Sequence, residues 1–463
     1  MDVHVVLGDR RDLSGQIYRQ LRDAILEGRL RAGAALPATR ELAAGLGVAR
    51  NTVSAAYDRL AAEGFLTTRI GSGTFVAPGF AGRPAQPVPG ALRPLPVWDS
   101  LTAPIDLAER PRYDFRPGHP DVRMFPWATW RRLLTAELRA GAVGTGMYGD
   151  PAGHPGLREA IARHVAVARS VRADPLDVLV TAGAQQAVGL IARVLLPPGS
   201  IAAVEDPGYP PVRHALTAAG MTVARVPVDG EGLVVDALPD DARLVFLTPS
   251  HQFPLGMPMS AGRRVALLAW AERHDAVLIE DDYDSEFRFS GRPLEALHSL
   301  DPSGRVVYVG SFSKSMLPIL RLGFLVAPPS LRRALRTAKY VTDWHVPLPE
   351  QAALAAFLTE GSFIRHVRRM RREYAVRRGL LLAGLPPELT PVPTAAGLHL
   401  SARLPPGTDD TAVAARAAAL GAAVFPLSMF GSAAGPGLTL GFGAISAADL
   451  RPGLEALARA VSG

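Results

Sequence analysis

From Tyr113 onward, short β-branched apolar runs alternate with stretches of helical spacing. A chain satisfies that rhythm by burying a mostly parallel sheet between layers of helices. The runs predict strands over 178–181, 201–204, 244–247, 276–279 and 305–309, and helices over 184–196 and 261–273. Strands apolar on both faces belong to a sheet covered on both sides. Open sheets of this kind bind ligands beyond the carboxyl ends of their strands, so the residues that close each run are the candidates for chemistry.

The chain has two lysines, Lys314 and Lys339, against 48 arginines. Lys314 closes the run 306–313, which delivers a primary amine to the rim of the sheet. Partial burial there lowers an amine's pKa and makes it a nucleophile. Lys339 lies in a basic helical pattern and is expected to be a solvated charge. Asp281 and Tyr283 follow another strand, and Gly183, Ala184 and Gln185 join a strand to a helix whose first N–H groups can hold a phosphate. Singly, each has a plainer reading as an ion pair, a cap or a core aromatic. Jointly, an amine, a carboxylate, a phenol and a phosphate cradle point to pyridoxal 5′-phosphate. Lys314 would form its imine, Asp281 would keep the pyridine nitrogen protonated, and Tyr283 would bond the phenolate oxygen. Ser311, Ser313 and Arg321 would hold the phosphate, and Tyr209 would stack on the ring.

Residues 13–78 form a different unit. Ile17, Leu21, Ala24 and Ile25 recur at helical spacing, and a second helix over 40–46 is expected with Thr39 as its N-cap. A third helix opens at Arg50, with Val53, Tyr57 and Leu60 on one face and Asn51 and Ala55 opposite, flanked by Thr52 and Ser54. Small and polar residues at its start let the backbone enter a major groove, where Arg50 and Asn51 reach base edges or phosphate. A β-hairpin over 65–70 and 74–76, turning at Gly71-Ser72-Gly73, follows as a wing. Residues 79–110, rich in proline, are expected to be a semi-extended tether without helix or sheet.

The net charge of +7 does not by itself establish a nucleic-acid partner. With no cysteine there is no disulfide framework and no thiolate metal site, and no metal is expected. Neither a signal peptide nor an apolar run of ~18 residues is present, so a cytoplasmic location without membrane contact is expected.

Pro37-Ala38-Thr39-Arg40-Glu41-Leu42-Ala43, Gly47-Val48-Ala49-Arg50-Asn51-Thr52-Val53 and Glu63-Gly64-Phe65-Leu66 resemble the winged helix of GntR-type transcriptional regulators. That resemblance implies operator contacts by Arg40, Arg50, Asn51, Thr52 and Ser54, with Gly71 and Gly73 shaping the wing tip. Ser311-Phe312-Ser313-Lys314 with Arg321 resembles the fold-type I aminotransferases across about 113–463. In that order the two look like the MocR subfamily. The implied organisation is a winged helix-turn-helix domain over 1–78, a Pro/Gly-rich linker over 79–110 and a pyridoxal phosphate-binding domain over 111–463. The last would comprise a large α/β part (about 150–345) and a smaller α+β part (about 346–463). A head-to-tail homodimer is also implied, with Tyr148 reaching the partner's cofactor phosphate.

Two departures bear on mechanism. Phe253 stands where aminotransferases have an asparagine near the phenolate oxygen, and Thr439 where they have an arginine for the substrate carboxylate. Arg403 or Arg213 would have to substitute, and full transamination is not expected. The preferred reading is a DNA-binding regulator that senses pyridoxal phosphate, an amine or an amino acid. An aminotransferase with an accessory DNA-binding domain is the alternative, and a DNA-binding scaffold with a vestigial cofactor site is a third.

Overall fold

A computed structural model describes residues 5–8, 11–69, 73–79, 93–101, 111–139, 146–289, 295–394, 396–431 and 433–463. Gly71 and residues 80–92 and 102–110 of the expected tether lie outside them. The chain divides into two compact units, Met1–Pro94 and Leu95–Gly463.

In the first unit α1 (Leu13–Leu26) buries Ile17, Tyr18, Leu21, Ala24 and Ile25 against α3 (Arg50–Ala62), which contributes Val53, Ala56, Tyr57 and Leu60. Between them lies α2 (Thr39–Leu46), stopped by Gly47 at φ +65°, a left-handed conformation that glycine adopts without strain. Thr39 is not the cap. The helix begins at Thr39 itself, with Ala38 in the cap position, and the Thr39 hydroxyl is engaged by Arg50 Nε at 3.3 Å. A residue that is itself the first of the helix does not occupy the flanking position from which a side chain caps. The strands β1 (Leu66–Arg69) and β2 (Gly73–Val76) pair antiparallel as the wing.

The second unit carries an eight-stranded sheet. In spatial order its strands are Val178–Thr181, Gly323–Val326, Val306–Ser311, Val277–Asp282, Ala242–Leu247, Ile201–Asp206, Thr222–Asp229 and the short Gly232–Leu233. The five from Val306–Ser311 to Thr222–Asp229 run parallel, and Gly323–Val326 is antiparallel to both its neighbours. Three strands extend past their apolar runs, through Glu205-Asp206, Glu280-Asp281-Asp282 and Gly310-Ser311. The acids among them keep the ladder while buried at the sheet's carboxyl edge, and Ser311 is half buried there. Hydropathy alone ends the strands too early.

A second layer forms on the sheet His399–Arg403, Gly437–Gly441, Phe425–Pro426 and Thr390–Pro391, covered by helices Ser362–Ala383, Asp410–Ala419 and Ala447–Ser462. Phe115, Tyr374, Leu400, Leu438 and Leu440 are fully buried between them. This is the smaller α+β part.

Two further expectations change. Pro96–Ser100, within the expected tether, forms a one-turn 3₁₀ helix that starts on proline, where the missing N–H costs nothing. Lys339 is not a solvated charge. Its side chain is 0% exposed, with Nζ 2.6 Å from Asp343 Oδ1. It shares the inward face of helix Arg332–Thr342 with Leu335, four residues earlier, while Arg333 and Arg336 are exposed. Among the described residues no helix is long and apolar enough to cross a membrane.

Candidate cofactor site and DNA-reading helix

Two neighbouring parallel strands set up the centre of the site. Val277–Asp282 and Val306–Ser311 pair with Val309 opposite Asp281, so Asp281 and Lys314 leave the same edge. Lys314 Nζ donates to the Gly118 carbonyl at 2.9 Å. Gly118 has φ +80°, and a Cβ there would lie 2.6 Å from Nζ, so only glycine lets this loop cover the amine. Burial pushes the Lys314 pKa down, which Asp284 and Asp281 partly oppose.

Asp281 is buried, and its Oδ1 has no hydrogen-bond partner among the described residues. Burial first, then the adjacent Asp282, push its pKa up to about 8. An orphaned buried carboxylate oxygen is costly unless something completes it. Tyr283 donates to the His251 carbonyl at 3.0 Å, and its oxygen lies 2.9 Å from His251 Nδ1. Burial raises the Tyr283 pKa well above the usual phenol value.

The phosphate end is built from small residues. Gly183, at φ +91°, stands before helix Ala184–Leu195, so Ala184 and Gln185 offer first-turn N–H groups that have no partner within the helix. A Cβ on Gly183 would come within 3.2 Å of the Arg321 guanidinium, which also reaches the Ala182 carbonyl. Ser313 N donates to Ser311 Oγ at 3.1 Å, and the two hydroxyls are 2.9 Å apart. Tyr209 is half exposed with its ring edge-on to Phe253 at 5.6 Å. Burial raises its pKa to about 12, Asp281 adds to the shift and Arg321 opposes it.

The structure thus gathers Lys314, Asp281, Tyr283, Tyr209, Ser311, Ser313, Arg321 and the turn Gly183–Gln185. Tyr148 stands apart from this group, 69% exposed and stacked on Trp344 at 4.3 Å. Thr439 is fully buried with its hydroxyl 3.2 Å from Ser401 Oγ. Arg403 donates to the Ala434 carbonyl, and Arg213 lies in helix Pro210–Ala218. Sequence reasoning missed His251, Asp284 and Arg169. Arg169 is buried against Asp282 at 2.6 Å, beneath the site. Arg169 comes from a separate segment; Asp284 directly follows Tyr283 and His251 stands two residues before Phe253, but no spacing rule marks what either side chain faces.

On the first unit Arg40, Arg50 and Asn51 are exposed, and Thr52 and Ser54 are half buried at the start of α3. Gly73, at φ +111°, opens β2. Gly71 lies outside the described residues.

Residues 13–76 match the family "Bacterial regulatory proteins, gntR family", and residues 127–457 match "Aminotransferase class I and II". The probable rhizopine catabolism regulatory protein MocR of Rhizobium meliloti is 40% identical, over 96% of this chain and 92% of that protein. The chain belongs to the MocR subfamily of GntR-type regulators. A second member, the pyridoxine biosynthesis transcriptional regulator PdxR of Corynebacterium glutamicum, is 36% identical over 96% of this chain and 95% of its own length. Among solved structures, the kynurenine aminotransferase of Pyrococcus horikoshii superposes with a TM-score of 0.70 at 28% identity, covering 77% of this chain and 92% of that one. The second unit therefore has the fold-type I aminotransferase fold, which implies pyridoxal phosphate as cofactor. The residues fit it. The unpartnered Asp281 oxygen matches a protonated pyridine nitrogen, and the glycine-lined turn beside Arg321 matches a phosphate.

Proposed function

We propose that this MocR-subfamily chain is a transcriptional regulator that binds an operator through its winged helix and senses pyridoxal phosphate or a primary amine through its aminotransferase-like unit. The observation that carries the reading is the pairing of Lys314 with Asp281, a desolvated amine beside a buried carboxyl whose Oδ1 has no partner among the described residues. Bound there, pyridoxal phosphate supplies an aldehyde carbon for amines and a ring that withdraws electrons from it. Lys314 offers a neutral Nζ or holds a proton there. Asp281 keeps a proton on the pyridine nitrogen, Tyr283 donates to the phenolate oxygen, and Ser311, Ser313, Arg321 and the first-turn N–H groups hold the phosphate. Tyr209 and Phe253 wall the site with aromatic surface.

The ligand class follows from what the site lacks. Phe253 brings no polar atom, and the Thr439 hydroxyl is spent on Ser401. A ligand whose only anchor is its amine is therefore served as well as one bearing a carboxylate, and turnover of amino acids is disfavoured for want of a positioning contact. The relatives MocR and PdxR, named for rhizopine catabolism and pyridoxine biosynthesis, support an amine or the cofactor itself as the signal.

The exposure of Tyr148, stacked on Trp344, supports a head-to-tail homodimer in which it would meet a second copy. Exposed Arg50 and Asn51 at the start of α3 are the base-reading side chains, and Arg40 is a phosphate contact.

Titrating the purified full chain with pyridoxal phosphate tests the reading. Visible absorbance should rise to saturation, be absent in Lys314→Ala, and shift on adding an active amine, with a matching change in affinity for the DNA upstream of its own gene. A wild-type protein that stays colourless in excess cofactor sinks the proposal.

A further inference from the structure

Tyr283 can serve the cofactor only if something orients its hydroxyl, and Phe253 in the turn Phe253-Pro254-Leu255-Gly256 has no polar atom to do so. Two residues earlier, His251 has. Its side chain is 2% exposed, and its Nδ1 lies 3.0 Å from Asp284 Oδ1 and 2.9 Å from the Tyr283 oxygen. Its Nε2 lies 3.2 Å from Thr394 Oγ1. The partners place the proton. Asp284 as a carboxylate only accepts, so Nδ1 carries the hydrogen and shares it between Asp284 and the Tyr283 oxygen. Without a ligand Tyr283 directs its own proton to the His251 carbonyl, 3.0 Å away, a bond that a cofactor phenolate oxygen would take over; Nε2 faces Thr394 Oγ1, whose hydroxyl also reaches the Ala396 carbonyl at 3.1 Å.

We propose that His251 is the positioning residue for the Tyr283 hydroxyl and couples that hydroxyl to the smaller part of the unit; this rests on the cofactor reading above. An N–H donated into the phenol oxygen polarises the O–H and makes it a stronger donor to an anionic oxygen. The far side of the joint is built from the segment around residue 396. Thr394 touches Nε2, and Leu398 N donates to Asp284 Oδ2 at 3.3 Å. Gly256 and Gly397 lie at φ +89° and +88°. A Cβ on Gly397 would collide with the His251 ring, and one on Gly256 would come 2.9 Å from Thr394 and 3.1 Å from Nε2. The backbone closes on the imidazole only because both positions lack side chains. Movement of Thr394 or of Gly397-Leu398 is thus felt at His251 and Asp284, and through them at Tyr283. The ligating atoms of His251, Asp284 and His399 fall within 4.8 Å of one another. Each of these side chains is already bonded, His399 Nε2 to the Pro254 carbonyl at 3.0 Å, so the group is a hydrogen-bonded joint and not a cation site.

The experiment is a double-mutant cycle on the full chain, reading the dissociation constant for pyridoxal phosphate. Tyr283→Phe and His251→Leu should each weaken binding about tenfold, the double variant should lose no more than the worse single, and His251→Asn, which retains an N–H donor, should recover most of the loss. Where His251→Leu does not fold, His251→Gln takes its place in the same cycle. Losses that simply multiply overturn the proposal, as does wild-type affinity in a folded His251 variant when Tyr283→Phe is impaired. Lys314→Ala separates the levels, because unchanged binding in that variant removes the cofactor reading itself.

Discussion

Asp281 and Lys314 leave neighbouring parallel strands at one edge of the sheet, and each favours the charged form of the other while burial disfavours both. Neither is comfortable without a ligand. Burial is the larger influence on each, so the carboxyl tends to keep its proton and the amine to lose one, the states from which a cofactor with a basic ring nitrogen and an aldehyde is received.

The Asp281 carboxyl makes the cofactor-free protein sensitive to pH in a stated direction. Its folded pKa, about 8, lies above the ordinary carboxylate value of 3.8, so between those limits the native state binds the extra proton and stability falls as pH rises. Glu205 and Glu280, pushed up to about 7 by burial, add to the same slope. Thermal melts of cofactor-free protein from pH 5 to 8 should show a declining Tm, shallower in Asp281→Asn. Equal slopes in the two proteins refute this role for Asp281.

Borohydride reduction of the cofactor-loaded protein followed by peptide mass mapping should place the label on Lys314 and leave Lys339 unmodified. Lys339 is held at 2.6 Å from Asp343 with its stem buried, so it is not a competing amine. Lys314→Ala should lose the label and the visible band while its ligand-free affinity for DNA stays within about twofold, because no residue of α3 is altered.

Arg50→Ala should weaken operator binding about tenfold or more and lower the salt slope by about one if the lost contact is to phosphate. The cofactor spectrum should not change. The variant gives up only one exposed contact, Arg50 Nε to Thr39 Oγ1 at 3.3 Å, so the winged helix should lose little stability. Unchanged DNA affinity would remove α3 as the reading helix.

Matched ligands test the unclamped pocket. Phenethylamine should shift the cofactor absorbance at concentrations no higher than phenylalanine requires, since Thr439 presents no cation to the extra carboxylate. A preference for the amino acid of about tenfold or more would show that another cation, Arg213 or Arg403, performs the clamping.

Within the first unit, Leu60→Ala should lower winged-helix stability by about 2–5 kcal/mol, the range for emptying a fully buried leucine site. Operator binding should fall in parallel on warming, while the pyridoxal phosphate spectrum of the second unit is retained. A single coincident transition for both signals would contradict this separation.

The sequence by itself determined which residues form strands and helices and which strand ends carry an amine, a carboxylate and a phenol, because hydrophobic period and turn chemistry act over a few residues. Val178–Thr181 and Ala261–Arg273 were legible to the residue, and so was the relation of Lys314 to Asp281. The tertiary structure alone decided what surrounds them. Gly118 closes on Lys314 from 196 positions away, His251 reaches Tyr283 from 32, and Leu398 reaches Asp284 from 114. It also decided the state of Lys339, whose pattern suits a surface charge until a neighbouring acid engages it, and the start of α2, which takes Thr39 into the helix. Desolvation and hydrogen bonding depend on which segments meet, and that is set by the packing of the whole sheet.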